Sequence, residues 1–236
     1  MSNAIFVDLG IMDYQKVLEL QEVTRNLRIE NKIPDIVFLV EHPPVITIGK
    51  NGQRENILES DDVLKSEEIS IYNISRGGDV TYHGPGQLVG YIIANIIALK
   101  VDLKAFVSKI QNCVINSLKV WDINSGSIDG YPGVWVKNEK ICALGISMRK
   151  WVSMHGFALN VDPIWKHYMY LVPCGIQDKG VTSIYKLGSY PSMNDVKNVV
   201  REKIIAQFEF QFRYMSIGEF EELIFNDREA AIMDKG

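Results

Sequence analysis

The sequence predicts a mixed α/β domain with several β-hairpins, and three patterns support this prediction. Continuous apolar runs at residues 36–40 and 88–96 are typical of strands that are buried on both faces. Between residues 103 and 118, apolar side chains recur every three or four positions, which indicates an amphipathic helix. Two short apolar runs flank a polar Lys-Asn-Glu-Lys segment within residues 134–146, as in a hairpin. A chain of 236 residues, 47% of them hydrophobic, is long enough for one such domain with a substantial core.

The first elements are expected to form a scaffold. Residues 4–9 are predicted to be a strand, and Asp13 is placed to cap a following helix. The apolar side of this helix is predicted to carry Val17, Leu20, Val23 and Leu27. The strand at residues 36–40 then leads into Glu-His-Pro-Pro, a stiff corner with His42 at its edge. By itself, a histidine in this place is more typical of a solvated or core residue than of a catalyst.

The next segment connects this corner to the most unusual stretch of the sequence. Residues 45–48 alternate as a strand does. Residues 50–64 are polar and irregular, so we expect a surface loop that can order over a ligand. Residues 69–74 are predicted to form a strand that feeds the unusual stretch directly.

Glycine, arginine, histidine and proline are concentrated in residues 75–91, which read S-R-G-G-D-V-T-Y-H-G-P-G-Q-L-V-G-Y. The paired glycines let backbone N–H groups approach a ligand, and Gly-Pro-Gly makes a tight turn. The residues between them alternate like a short strand, so the stretch is predicted to present Arg76, Tyr82 and His83 to a bound molecule. The segment G-P-G-Q-L-V-G has one residue too many for the dinucleotide motif G-x-G-x-x-G, and the sequence contains no P-loop motif. A binding site is therefore expected here, but not a Rossmann or P-loop phosphate site.

The second half of the chain continues the α/β pattern. Asp102 is predicted to cap the helix that follows it, and Cys113 adjoins the apolar stripe of that helix, so we expect a core thiol. After the hairpin, residues 151–161 are predicted to form a strand with His155-Gly156 in its middle, where the glycine permits close backbone approach. The aromatic residues 165–170 then lead to Pro-Cys-Gly, which can hold Cys174 on a turn.

The C-terminal part is predicted to add a helix, a strand and a tail. A helix is expected from Ser192 to Phe208, after which Phe208, Phe210 and Phe212 alternate as in a strand. From residue 217 onward the sequence resembles a charged terminal helix. These patterns predict one domain over residues 1–215 and a helical tail over residues 216–236.

Composition and charge exclude several classes of protein. A formal net charge of −4 and an isoelectric point near 5.6 argue against a non-specific nucleic-acid binder. Three dispersed cysteines are too few for a disulfide framework or a Cys-x-x-Cys metal site, and they indicate a reducing compartment. We see neither a signal peptide nor an apolar run near the ~18 residues of a membrane span. A cytoplasmic location, with no membrane association, is therefore expected.

Residues 76–91 fit the pattern R-G-G-x-x-T-x-H-G-P-G-Q-L-x-x-Y position by position. Further along, the chain contains G-V-W-V followed by K-I-x-x-L-G, and then P-C-G. In these motifs the chain resembles the octanoyl-[acyl-carrier-protein]:protein octanoyltransferases, which begin protein lipoylation as part of lipoate biosynthesis. The resemblance spans residues 10–185. It implies a mixed β-sheet with flanking helices, similar to the catalytic domain shared by lipoate and biotin protein ligases.

The resemblance also implies a set of site residues. The catalytic pair that the resemblance implies is Cys174 and Lys140. A nearby cation favours the thiolate form of a cysteine, whose unperturbed pKa is about 8.5. Its supporting residues are His42, Tyr91 and His155. The substrate-binding residues that it implies are Arg76, Gly77, Gly78, Asp79, Val80, Thr81, Tyr82, His83, Ala143, Leu144, Gly145, Gly156, Phe157 and Ala158. Backbone N–H groups near Gly77 and Gly78, or after Cys174, are candidate oxyanion donors. Cys142 is also close to Lys140 in sequence, but no motif requires a cysteine there, so we expect it to be structural.

The implied reaction is an acyl transfer through a Cys174 thioester. Octanoyl-acyl carrier protein is the implied donor, and no cofactor, metal or ATP is required because the conversion of a thioester to an amide is downhill. The implied acceptors are lipoyl domains of 2-oxoacid dehydrogenase E2 subunits and the glycine cleavage H protein, and we expect a monomer. The aromatic segment at 165–168 departs from what we expect before Pro-Cys-Gly, which leaves the preferred chain length open.

Three alternatives remain open from the sequence. An ATP-dependent lipoate-protein ligase of the same fold would have a related glycine motif and an essential lysine but no catalytic cysteine. A non-catalytic protein that binds acyl groups or lipoyl domains would retain the pocket and form no adduct on Cys174. A Cys-His hydrolase would transfer the acyl group to water in competition with an amine.

Overall fold

A computed structural model describes residues 3–171 and 179–224 of the chain. Its strands are β1 (Asn3–Ile11), β2 (Asp35–Glu41), β3 (Val45–Ile48), β4 (Ser70–Asn73), β5 (Val80–His83), β6 (Gln87–Ile93), β7 (Gly126–Ile128), β8 (Tyr131–Val136), β9 (Glu139–Arg149), β10 (Val152–Asn160), β11 (Gly180–Val181) and β12 (Gln211–Met215). Its helices are α1 (Tyr14–Ile29), α2 (Asp61–Ser66), α3 (Leu103–Leu118), α4 (Trp165–Tyr168) and α5 (Met193–Phe208), and residues 217–224 are also helical. Short 3₁₀ turns lie at Arg54–Asn56, Lys119–Trp121 and Tyr185–Leu187.

The strands form two sheets. The large sheet has the order β12-β1-β2-β6-β10-β9-β8-β7, with β11 also paired to β9, and the small sheet has the order β4-β3-β5. In the large sheet β1 is parallel to both of its neighbours, and β6 and β10 are antiparallel to theirs. This mixed sheet with flanking helices confirms the predicted fold class. Residues 36–40 of β2 and every residue of β6 are buried, as the continuous apolar runs predicted, and every residue of β10 is buried as well.

Helices cover both faces of the large sheet. On one face α3 and α5 contribute Phe106, Ile110 and Ile204 to the largest cluster of buried residues. Cys113 belongs to this cluster, and its burial raises the pKa of the thiol to about 12, which confirms the predicted core thiol. On the opposite face α1 packs with Val17 against a second cluster. A third cluster lies beside the small sheet.

The predicted helix starts are confirmed by their caps. Asp13 Oδ1 accepts a hydrogen bond from Lys16 N at 3.2 Å, and Asp102 Oδ1 accepts one from Ala105 N at 2.7 Å. Ser192 forms a capping box at the start of α5. A polar N-cap of this kind stabilises a helix by about 1 kcal/mol relative to alanine, because it satisfies an otherwise unpaired N–H group.

The buried face of α1 is more polar than the apolar spacing predicted. Leu20 and Val23 are only partly buried, whereas Gln21 and Thr24 are completely buried. The reason is local, because Gln21 Oε1 accepts a hydrogen bond at 3.0 Å from the backbone N–H of His155 on the sheet beneath. A polar side chain is needed at this position to satisfy that group.

Two sequence-based boundaries were wrong. The segment 50–64 was expected to be an irregular loop, but it contains a 3₁₀ turn and the start of α2, which Ser60 caps. The helix predicted to run to Phe208 does end there, but the strand expected from Phe208 begins only at Gln211. Glu209 ends that helix with a left-handed backbone (φ 55°), and Phe208 stacks on Phe210 at 5.2 Å before β12 begins.

The predicted terminal helix begins at residue 217, and its described part packs on the domain. Phe220 is completely buried against Phe38, with ring centroids 5.3 Å apart. The rest of the predicted tail, residues 225–236, lies outside the described residues, so the predicted boundary at residue 216 stays a prediction. No helix in the described parts of the chain is long and apolar enough to cross a membrane.

Candidate active site

A cavity lies where the small sheet approaches β6, β9 and β10 of the large sheet. Its empty volume is about 530 Å³, including the mouth that opens to solvent. Its walls are formed by Tyr14, Arg76, Gly78, Asp79, Val80, Thr81, His83, Val89, Tyr91, Lys140, Ala143, Leu144, Gly145, His155, Gly156, Phe157 and Ala158.

The structure brings most of the residues predicted from the sequence together in this cavity. Three predicted residues do not line it, namely Gly77, Tyr82 and His42. Cys174 lies outside the described residues, as do all residues from 172 to 178. Their predicted roles stay predictions, whereas the position of Lys140 in the cavity wall is a structural observation.

The glycine-rich loop is held in place by Arg76. This guanidinium is buried and donates through Nη2 to Thr47 O at 2.8 Å and through Nη1 to Gly77 O at 3.0 Å. The N–H of Gly77 donates to Ile146 O on β9 at 3.2 Å. That N–H is therefore already used in this arrangement, whereas the N–H of Gly78 stays a candidate oxyanion donor. A Cβ atom at Gly145 would lie 3.0 Å from Arg76 Cδ, so this glycine allows the loop to rest on β9.

Close packing of two strands forms the floor of the cavity. A Cβ atom at Gly156 would lie 2.0 Å from Gly90 O, and a Cβ atom at Gly90 would lie 2.2 Å from the ring of Phe157. These positions require glycine because the backbones of β6 and β10 and the Phe157 ring occupy the space. His155, just before Gly156, has a left-handed backbone (φ 68°) within its strand. The result is an apolar floor with an irregular backbone at one point.

Lys140 lies on β9 in the wall of the cavity and is 8% exposed. Its Nζ is 4.9 Å from the centroid of the Trp135 ring, within the range of a cation–π interaction. Lys179 approaches the same ring at 5.5 Å and the ring of Tyr131 at 4.8 Å. Val181 of β11 is paired with Lys140, so the chain that follows the segment 172–178 is attached to the strand that carries this lysine.

His42 lies behind the cavity wall and contacts Tyr91. Its Nδ1 is 2.7 Å from Met12 O, which is only an acceptor, so Nδ1 carries the proton. Its Nε2 therefore accepts a hydrogen bond from the Tyr91 hydroxyl at 2.8 Å. Burial lowers the pKa of His42 to about 4, which keeps this histidine neutral, and burial raises the pKa of Tyr91.

Tyr82 and Cys142 are buried in the hydrophobic core. Tyr82 was expected to face the ligand, but its completely buried ring belongs to the core beside the small sheet, and its hydroxyl is 2.8 Å from His167 Nδ1. The alternation of β5 explains this, because Thr81 and His83 point to the other face of the strand. Cys142 is completely buried in the main core, where burial raises the pKa of its thiol, in agreement with the structural role expected for it.

Sequence reasoning missed several residues of the site. Tyr14 lines the cavity and stacks on His83 with ring centroids 6.2 Å apart, although the sequence indicated only a helix start there. Val89 lines it as well, and Thr47 holds Arg76. None of these positions carries a sequence signal of its own, because each reaches the site through long-range packing.

Comparisons with known proteins agree with this fold. Residues 13–205 match the family model of the lipoyl protein ligase A/B catalytic domain. The chain is similar to the bi-partite lipoate protein ligase of Thermoplasma acidophilum, with a TM-score of 0.74 and 16% identity over 96% of this chain and 92% of that one. It is similar to a lipoate-protein ligase A bound with ATP, with a TM-score of 0.72 and 16% identity over 96% and 94% of the two chains. The fold and the site thus define a catalytic domain of the lipoyl protein ligase A/B class.

Curated relatives narrow this class. The octanoyltransferase of Caldicellulosiruptor bescii is 48% identical over 82% of this chain and 86% of its own. The octanoyltransferase of Alkaliphilus metalliredigens is 44% identical over 88% of this chain and 94% of its own. The chain belongs to the octanoyltransferase family, and it is an acyltransferase.

Proposed function

We propose that this enzyme transfers an octanoyl group from octanoyl-acyl carrier protein to a lysine of lipoyl domains, through a thioester on Cys174. Lys140 acts as the general acid and base. The observation that supports this most is the position of Lys140, a buried cation in the wall of a cavity whose floor is apolar. An ammonium group so placed is suited to proton transfer beside a reacting thioester.

The chain that follows Cys174 in sequence lies close to this lysine from residue 179 onward. Lys179 follows Cys174 by five residues and shares the Trp135 ring with Lys140. A chain of five residues spans at most roughly 18 Å, so Cys174 lies within that distance of Lys179. Of the other two cysteines, Cys113 and Cys142 are both buried in the core with raised thiol pKa values, which makes them poor nucleophiles.

In the first half-reaction the Cys174 thiolate attacks the thioester carbonyl of the donor. The bond from carbon to the phosphopantetheine sulfur breaks, and Lys140 gives its proton to the departing thiolate. The products are octanoyl-Cys174, a free carrier thiol and a neutral Lys140.

In the second half-reaction the acceptor lysine, after losing one proton to solvent, attacks the thioester as a neutral amine. Neutral Lys140 accepts the proton that the nitrogen loses, and the bond from carbon to Cys174 sulfur breaks. The products are an N-octanoyl lysine, the Cys174 thiolate and a protonated Lys140, so the enzyme returns to its starting state. Because an amide is more stable than a thioester, the proposed route uses neither ATP nor a metal ion.

The cavity suits the proposed acyl chain. Six or seven methylene groups buried at ~0.8 kcal/mol each stabilise the complex by at most about 5 kcal/mol. Ala143, Leu144, Phe157 and Ala158 provide the apolar surface for this contact. We propose the lipoyl domains of 2-oxoacid dehydrogenase E2 subunits and of the glycine cleavage H protein as acceptors, and a monomeric enzyme in the cytoplasm.

The test is the intact mass of the protein after mixing with octanoyl-acyl carrier protein without ATP. We expect an octanoyl adduct that is absent in Cys174→Ala and present in the matched control Cys142→Ala. The adduct should disappear when a lipoyl domain is added, as the domain gains the same mass.

Other outcomes would identify a different function. Modification of the lipoyl domain only with free octanoate and ATP would indicate a ligase. Release of octanoate to water in preference to the lipoyl domain would indicate a hydrolase. Binding of the donor or acceptor without any adduct or product would indicate a non-catalytic binding protein.

A further inference from the structure

A buried polar hub lies behind one end of the cavity and is formed by Gln87, Asn160 and Tyr168. Gln87 Nε2 is 3.2 Å from Tyr82 O, 2.9 Å from Asn160 Oδ1 and 2.8 Å from the Tyr168 hydroxyl. The Tyr168 hydroxyl donates to Asn160 Oδ1 at 2.6 Å. Residues from β6, β10 and α4 therefore meet at a single amide, and α4 belongs to the aromatic segment that the sequence-based interpretation left without a role.

This hub fixes the tautomer of His83. The carbonyl oxygen of Tyr82 can only accept, so the end of the Gln87 amide that faces it is the nitrogen, and Oε1 faces His83. His83 Nδ1 is 2.7 Å from Gln87 Oε1 and must donate to it. A neutral His83 then carries its lone pair on Nε2. Burial lowers the pKa of His83 to about 3, so the ring is neutral at physiological pH.

The Nε2 lone pair of His83 faces the cavity. His83 lines the cavity, whereas Gln87 lies behind the wall, so the ring edge turned away from Gln87 is the one that faces the cavity. A lone pair in such a place accepts a hydrogen bond from a ligand N–H or O–H group.

His83 and Lys140 both line the cavity, and the strands behind it connect them. Gln87 is paired with Asn160 across β6 and β10. Asn160 Nδ2 donates to Thr182 O at 3.0 Å, and Thr182 N donates to Lys140 O at 3.0 Å. A continuous series of hydrogen bonds thus connects His83 with the backbone of Lys140. Gly145 lies five residues further along β9, where it packs against Arg76.

The geometry points to His83 as the residue that receives the acceptor lysine, with Gln87 as the residue that positions it. In this proposal His83 Nε2 accepts a hydrogen bond from one N–H of the incoming amine, which aims the nitrogen lone pair at the octanoyl carbonyl. The amine keeps that proton and gives its other one to Lys140, so His83 takes no proton. The inference rests on the proposed acyl-enzyme route.

An acceptor-side role is favoured over a donor-side role by the chemistry of the two substrates. The thioester presents its carbonyl oxygen and sulfur at the reacting centre, and both are hydrogen-bond acceptors. The amine is the reactant that presents N–H donors there. A fixed lone pair in the cavity that Lys140 also lines is therefore complementary to the amine.

The test separates the two half-reactions in His83→Phe, which lacks the acceptor, and in His83→Gln, whose Oε1 can replace Nε2. Octanoyl-acyl carrier protein is used for acylation, and the isolated octanoyl-enzyme is then mixed with a lipoyl domain. We expect His83→Phe to form the adduct within about threefold of the wild-type rate and to lose about 10²-fold in transfer, because the amine is misplaced. His83→Gln should recover transfer to within about tenfold of the wild type. Circular dichroism melting confirms that each variant is folded.

The outcomes are distinct. Equal losses in both half-reactions, or no loss in transfer, would overturn the role of His83. Failure of the wild-type protein to form an adduct would instead overturn the proposed function. The two failures are distinguishable, because failure of the proposed function is already visible in the wild-type protein.

The role of Gln87 is tested with Gln87→Glu, which keeps an acceptor for Nδ1–H but adds a negative charge. The groups that face His83 are Tyr14, His42, Arg76 and His155. The negative charge of the added carboxylate should raise the pKa of His83. A protonated Nε2 cannot accept a hydrogen bond. As the pH falls, the transfer rate of Gln87→Glu should therefore drop at a higher pH than that of the wild type. The pH profile of the acylation rate should be the same in both proteins. An unchanged transfer profile in a folded Gln87→Glu protein would overturn the positioning role.

Discussion

The ammonium of Lys140 lies 4.9 Å from the ring centroid of Trp135, on the strand that neighbours its own. This contact stabilises a cation that is otherwise largely removed from water. Because the Trp135 ring also receives Lys179, it connects the proposed acid and base to the chain just after the segment that contains Cys174. The arrangement, together with the cavity beside it, has consequences that mutagenesis and kinetics can test.

Lys140→Arg should abolish most octanoyl transfer while the protein stays folded. Arginine keeps a positive charge that can stack on Trp135, but its guanidinium does not release a proton near neutral pH. Proton transfer of this kind contributes about 10²–10⁴-fold, so rapid-quench rates should fall by at least about 10²-fold. The matched control is Lys137→Arg, on the exposed turn of the same hairpin, which should keep the wild-type rate. A Lys140→Arg enzyme with wild-type rates would contradict the acid–base role.

Leu144→Phe should change the preference for chain length. Leu144 lines the cavity, and a larger ring there reduces the space for the acyl chain. We expect kcat/KM for octanoyl-acyl carrier protein to fall about tenfold and that for butanoyl-acyl carrier protein to stay within about threefold. Leu103→Phe, at an exposed position on α3, should change neither value. An equal loss for both donors would show that Leu144 does not border the bound chain.

Gly156→Ala should destabilise the fold. The added methyl group would lie 2.0 Å from Gly90 O, so the paired backbones of β6 and β10 must separate. Overpacking of this kind costs about 1–3 kcal/mol, measured as a lower free energy of unfolding in urea. Gly218→Ala is the control, because a methyl group at this position in the helical residues 217–224 meets open space. That change should be neutral or stabilising by up to about 1 kcal/mol, and equal effects of the two changes would refute the packing argument.

Acid should destabilise the protein through His42. Its pKa is about 4 in the folded state, against about 6.5 when unfolded. Above pH 6.5 both states are neutral and the full stability is present; as the pH falls from 6.5 towards 4, the unfolded state binds the proton first and stability is lost. At pH 5 the loss from this group is about 2 kcal/mol. Thermal melting from pH 7.5 to 5 should show a smaller drop in His42→Gln, and an identical drop would argue against this assignment.

The sequence allowed much of the site to be predicted because its residues fall in contiguous motifs. The stretch from Arg76 to His83 and the motifs that contain Lys140 and Gly156 each place several cavity-lining residues next to one another. Tyr82 is the exception, because it belongs to the same motif but its side chain points into the core. The phase of alternation depends on which sheet face is covered, and the sequence alone does not specify this.

The remaining features depend on contacts between distant segments. Tyr14 reaches the cavity from the first turn of α1, and Asn160 meets Gln87 across two strands. Local propensity carries no information about such contacts. The same holds for Phe208, where a left-handed residue after the helix overrides an alternating pattern of aromatic side chains.

The central claim is that the octanoyl group passes through Cys174. The most direct test isolates the octanoyl-enzyme, mixes it with a lipoyl domain in the absence of donor and ATP, and follows both intact masses over time. The account predicts that octanoyl leaves Cys174 at the rate at which it appears on the lipoyl domain, and that this rate is at least as fast as steady-state turnover. An adduct that persists while modified lipoyl domain accumulates from fresh donor would contradict it.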